Sequence, residues 1–161
     1  MKLYHGNVEI VKKPEIRESN RTLDYGKGFY CTTSYEQAAD WVRRRLKEHD
    51  SNLGFVNIYE FNENLMNSFK SLTFESPTED WLDFVMQNRT IRGYCHDYDI
   101  VYGPVANDRV YAAFALYEGG VLNKQELIAE LKTYKLVDQY LFHTEQALSA
   151  LLYIEGKEVM K

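Results

Sequence analysis

Two short segments hold the residues best suited to chemistry: Leu3-Tyr4-His5-Gly6 and Tyr25-Gly26-Lys27-Gly28-Phe29-Tyr30. In the first, an imidazole and a glycine end a short strand. In the second, a Gly-x-Gly turn feeds an aromatic pair into another strand. Glycine lets a ligand reach main-chain N–H and C=O groups that a Cβ would shield. A neutral imidazole can donate to or accept from a hydroxyl, and a flat aromatic ring can stack on a flat, cation-like one. His5 taken alone reads as a structural histidine; the neighbouring segments are what give it a binding role. Other chemistries find little support. Gly26-Lys27-Gly28 is a fragment of a dinucleotide fingerprint, because position 31 is Cys, and there is no Walker loop. His5, His49, His96 and His143 show no two-ligand helical spacing, so no zinc site is expected. Cys95 and His96 are adjacent, and adjacent side chains in a strand or loop point apart, which disfavours a thiolate–imidazole pair there. No Gly-x-Ser-x-Gly elbow supports a serine hydrolase.

The His-Gly strand end followed by Gly-x-Gly-Phe-Tyr resembles the NAD-gripping segments of ADP-ribosyltransferases of the His-Tyr-Glu type, the poly(ADP-ribose) polymerase-like domains. It resembles more closely the small bacterial DUF3990 family. The resemblance implies NAD as substrate. His5 bonds the adenosine ribose, Gly6 offers its backbone to the nicotinamide carboxamide, and Tyr30 stacks on the nicotinamide ring. The spacing of such domains places a second stacking aromatic at Trp41; read from the helix stripe alone, Trp41 is a core residue instead.

The third catalytic position departs from the pattern. Val137-Asp138-Gln139-Tyr140-Leu141-Phe142 is its best match, with Gln139 where a glutamate is expected. A carboxylate there bonds the nicotinamide ribose and stabilises the positive charge that develops as nicotinamide leaves. Glutamine keeps the hydrogen bond, loses the charge and cannot be a general base. Chain elongation is therefore disfavoured. Transfer of a single ADP-ribose, slow NAD glycohydrolysis, or binding without turnover remain open, with Gln139, His5 and Tyr30 as the catalytic set. Asp138 and Glu145 lie nearby, yet a one-residue slip sends Asp138 to the other sheet face. Gly103-Pro104-Val105-Ala106-Asn107-Asp108 also resembles a DUF3990 signature, in which Asn107-Asp108 either rims the cleft or caps the helix that follows. Members of such families act as toxins or defence effectors beside a small antitoxin-like partner; the acceptor is not named by the sequence.

These residues need a scaffold. At 161 residues, 45% hydrophobic and 14% aromatic, the chain can bury one core, so residues 1–161 read as a single domain. The thirteen tyrosines read as amphipathic packing. A formal charge of −5 argues against non-specific nucleic-acid binding, and Arg43-Arg44-Arg45 reads as a solvated helix face or a docking patch. No apolar stretch approaches a membrane span and no signal peptide is evident, which with two cysteines in no framework points to a cytoplasmic protein.

Strands are expected at 1–5, 28–32, 55–61, 98–102 and 136–142, with a surface loop over 12–24. Helices are expected from a Ser34/Gln37 capping box to about 48, from Ser76-Pro77-Thr78-Glu79 onward, over 105–117, from Asn123 through 131, and after Thr144 through Leu151 and Leu152. The apolar stripe of the first is Ala38, Trp41, Val42 and Leu46. The expected fold is α+β, an ADP-ribosyltransferase-like split sheet, mixed and largely antiparallel, with flanking helices.

Overall fold

Leu53–Phe61 is dense in β-branched and aromatic residues and forms the central strand of the first of two sheets. The computed structural model describes residues 1–18, 22–105 and 108–161, with only the backbone of Asp108. In chain order the strands are β1 (Lys2–Asn7), β2 (Phe29–Cys31), β3 (Leu53–Phe61), β4 (Ser71–Thr73), β5 (Ile100–Pro104), β6 (Asp138–Phe142) and β7 (Leu151–Met160). The helices are α1 (Tyr35–Glu48), α2 (Glu79–Thr90), α3 (Asp108–Glu118), α4 (Lys124–Lys132) and α5 (Glu145–Leu148), with a 3₁₀ turn over Glu63–Ser68.

One sheet has the order β1-β3-β7 and is antiparallel; the other has the order β2-β6-β5-β4 and is antiparallel except between β4 and β5. A bridge between Tyr4 and Thr32 joins them: Tyr4 N–H donates to Thr32 O at 2.8 Å and Thr32 N–H to Tyr4 O at 2.9 Å. Past that bridge β1 and β2 separate. The result is a mixed α+β single domain.

Helix positions follow from where apolar faces can be buried. Ala38, Val42 and Leu46 of α1 cover Val56, Ile58 and Val159 on the first sheet. Trp81, Leu82 and Val85 of α2, with Phe114 of α3 and Leu127 and Leu131 of α4, cover Val101 and Leu141 on the second. A further cluster draws on both sheets, uniting Leu3, Tyr59 and Phe61 with Phe29, Ile100, Tyr140 and Phe142. β3 is therefore covered on both faces, and Val56, Asn57, Ile58 and Tyr59 are all buried rather than half of them.

Several boundaries differ from expectation for identifiable reasons. The α2 cap is Thr78, accepting from Trp81 N–H at 3.3 Å, not Ser76. This start places Glu79 and Asp80 in the first turn, where the helix dipole favours them. The described part of α3 begins at Asp108, and Val105 is not helical: its N–H donates to Val137 O at 2.7 Å just past the end of β5. Gly103-Pro104 lies inside β5, where a Cβ on Gly103 would come within 2.4 Å of the Tyr25 hydroxyl. Leu151 and Leu152 belong to β7, not to the final helix, which ends at Leu148; β7 pairs with β3 along its length. The capping box at Asn123 is complete, and Ser34 accepts from Gln37 N–H.

Candidate functional site in the split between two sheets

Strand alternation determines what the parting of β1 and β2 leaves open. Tyr4 exchanges both backbone bonds with Thr32, so its N–H and C=O point toward β2. Gly6, two residues on, points its N–H and C=O the same way. Tyr30, two residues before Thr32, points its own toward β1. The two would pair if the strands stayed together. Instead the His5 ring enters between them, and Nδ1 lies 2.7 Å from Tyr30 O. Among the described residues no hydrogen bond outside the strand ladders involves Gly6 N–H, Gly6 C=O or Tyr30 N–H, and the alternation turns these groups away from β3 and β6. Buried main-chain groups are rarely left unpaired, and Gly6 is buried.

Gly6 has a second reason to be glycine. Helix α1 lies directly over it, and a Cβ would come within 2.4 Å of Ala38 O and 2.9 Å of Val42 Cγ2. The residue serves the helix packing on its face and exposes a donor–acceptor pair on its edge.

His5 is stacked on Phe29, ring centroids 4.1 Å apart. Burial lowers its pKa to about 4; the Tyr30 carbonyl partly opposes this and the Arg17 charge adds to it. The ring is therefore neutral near pH 7. A carbonyl only accepts, so the proton sits on Nδ1 and Nε2 carries a lone pair.

Tyr30 alternates away from Phe29, packs against the Tyr25–Trp81–Leu141 cluster, and donates its hydroxyl proton to Gly26 O while accepting from Tyr25 N–H at 3.2 Å. Desolvation raises its pKa well above that of a free tyrosine. Gln139 is on this same face, 8% exposed, with Nε2 3.5 Å from Pro104 O and the Tyr25 hydroxyl alongside. Asp138 is on the opposite face, as the alternation argument expects, held by Thr33 N–H, Thr33 Oγ1 and Tyr102 OH. The structure thus brings Tyr30 and Gln139 together around Tyr25, whereas His5 reaches the split from the face it shares with Leu3 and Phe29.

Trp41 is 44% exposed, so the core reading of this residue is overturned: the buried stripe of α1 is Ala38, Ala39, Val42 and Leu46. It sits on the helical turn that covers Gly6. Asn107 and the Asp108 side chain, read as a cleft rim or a cap, lie outside the described residues. The described part of the 12–24 loop crosses the His5 face: Ile16 packs on the cluster there and Arg17 acts on His5. Two cavities, of about 440 Å³ beside Glu60–Asn64 and about 600 Å³ beside Thr33, Tyr102 and Asp138, are lined by none of His5, Tyr30, Trp41 or Gln139. No group of His, Cys, Asp and Glu that could hold a metal occurs among the described residues.

Sequence reasoning missed that Cys95 meets His143 rather than His96: Sγ lies 3.6 Å from His143 Nε2. At a sequence separation of 48 there was no local signal for it. No helix among the described residues is long and apolar enough to cross a membrane.

An α+β domain with an open main-chain edge where its two sheets part defines the class of protein. The chain belongs to the DUF3990 family, described as proteins of unknown function, whose family model matches residues 1–153. No curated protein and no solved structure matches the chain.

Proposed function

We propose that this protein is an ADP-ribosyltransferase-like domain that binds NAD in the β1–β2 split and transfers a single ADP-ribose to an acceptor, releasing nicotinamide. The observation that carries the reading is the Gly6 edge. One extended glycine presents an unpaired N–H beside an unpaired C=O, the complement of a carboxamide such as that of nicotinamide. The His5 Nε2 lone pair can accept from a ribose hydroxyl. In this reading the partly buried Tyr30 and Trp41, exposed on α1, supply the ring surfaces for nicotinamide. The acceptor macromolecule, and a small antitoxin-like partner, belong to this same reading.

Gln139 favours a second reading, an NAD- or ADP-ribose-binding module without turnover. Its amide is directed inward to Pro104 O, and it brings no charge to a developing oxocarbenium ion. Calorimetry with NAD tests binding, and nicotinamide release from labelled NAD tests turnover. Under the first reading Gln139→Ala suppresses release and Gln139→Glu raises it, with circular dichroism confirming the fold. Binding with no release from any of the three proteins establishes the module. Absence of NAD binding removes the first reading, and absence of both NAD and ADP-ribose binding removes the second.

A further inference from the structure

Away from the split, the loop leading into β2 is held at successive carbonyls by side chains. His96 Nε2 lies 2.7 Å from Tyr25 O, the Tyr30 hydroxyl bonds Gly26 O, and His143 Nδ1 bonds Lys27 O. Each imidazole must carry its proton on the nitrogen facing the carbonyl. In His96 the other nitrogen is also engaged, because Nδ1 accepts from Tyr98 N–H at 3.1 Å. In His143 the other nitrogen is Nε2, and its lone pair faces the Cys95 thiol. Among the described residues the thiol has one other acceptor within reach, His96 O at 3.5 Å. A nucleophile, a base beside it, and a third group orienting the base make up the arrangement of an activated cysteine. Cys95 is exposed and in no disulfide. It lines neither cavity described above.

We propose that Cys95 is a redox modification site, oxidised by hydrogen peroxide to the sulfenic acid with His143 as its general base. As sulfur attacks one peroxide oxygen, Nε2 takes the thiol proton. The S–O bond forms, the O–O bond breaks, and the departing hydroxide takes the proton back from the imidazolium and leaves as water. Sulfur loses two electrons and the peroxide gains them. The sulfenic acid is reducible by thiols. The second cysteine is an internal control: Cys31 is buried, and burial pushes its thiol pKa well up. The product places an oxygen against the ring that holds Lys27, independently of whether NAD binds.

The experiment treats the folded protein with dilute hydrogen peroxide, traps sulfenic acid with dimedone, and follows the adduct at each cysteine by peptide mass spectrometry. Cys95 is expected to label at least about tenfold faster than in His143→Asn, which keeps an amide donor for Lys27 O and removes the base. It is expected to label faster in the folded protein than in urea, where the base is no longer held beside it, with Cys31 labelling only on unfolding. Equal Cys95 rates in folded and urea-unfolded protein overturn the proposal. So does a folded His143→Asn that labels as fast as the original; if that variant does not fold, the folded-against-urea comparison decides.

Discussion

The rings of His5 and His143 each give the Nδ1 proton to a main-chain carbonyl, Tyr30 O within β2 in one case and Lys27 O in the loop leading into it in the other. Each therefore keeps a lone pair on Nε2, yet the surroundings differ. His5 is wedged where two strands part, flat against Phe29, and burial holds it neutral. His143 is half-buried, with His96 4.2 Å away between ring centroids and a thiol at Nε2. The same hydrogen bond yields a ligand acceptor in one place and a base in the other. What separates them is packing, not the choice of residue.

The largest expected effect of a substitution lies at Gly6, next to His5 on β1 and packed under α1. Gly6→Ala drives a methyl into Ala38 O, so α1 must lift and stability falls by about 1–3 kcal/mol, read as a lower urea midpoint. An unchanged midpoint would mean that α1 is not seated on β1 as described.

Acid distinguishes the two rings next. The unfolded chain takes up a proton near pH 6.5 that folded His5 resists until about 4. Its contribution is therefore full above pH 6.5 and declines as pH falls toward about 4, by about 3 kcal/mol. His96, also lowered by burial, adds in the same direction. Urea melts at pH 7 and 4.5 should show this loss, and His5→Ala should reduce it; an equal loss in the variant removes His5 as the cause.

Tyr30→Phe separates the ring from its hydroxyl. Losing the bonds to Gly26 and Tyr25 should cost about 1 kcal/mol of stability while NAD affinity is retained, because stacking needs only the ring. The smallest stability effect belongs to Trp41→Ala, within about 0.5 kcal/mol for so exposed a side chain. Its NAD affinity should nevertheless fall by about 1 kcal/mol. Calorimetry paired with thermal melts checks both, and a large stability loss in Trp41→Ala would restore that residue to the core.

Local signals were legible wherever a short-range bond decides the outcome. Ser34 before α1 and the Asn123 box before α4 are such bonds, each closing within three residues. Ser76 misled because Thr78, two residues on, offers the same hydroxyl chemistry, and only the burial of Trp81 and Leu82 distinguishes them. β7 was unreadable: Leu148, Leu151 and Leu152 mimic a helical stripe, and the strand exists because β3 lies ready to pair with it. Trp41 was ambiguous for a similar reason, since a helical wheel does not say how much of its arc a sheet will cover.

By itself the sequence determined that His5, Gly6 and Tyr30 stand in glycine-flanked strand segments, that Gln139 has no charge to offer, and that the chain is α+β. The expected strand end at His5-Gly6 is instead the interior of β1, which runs on to Asn7. The tertiary structure alone decided that β1 and β2 part after Tyr4, leaving the Gly6 edge unpaired, and that His5 and Gln139 approach from different faces. It also set Cys95 against His143. Strand pairing and face selection join residues dozens of positions apart, and nothing in the chain between them encodes the distance at which they meet.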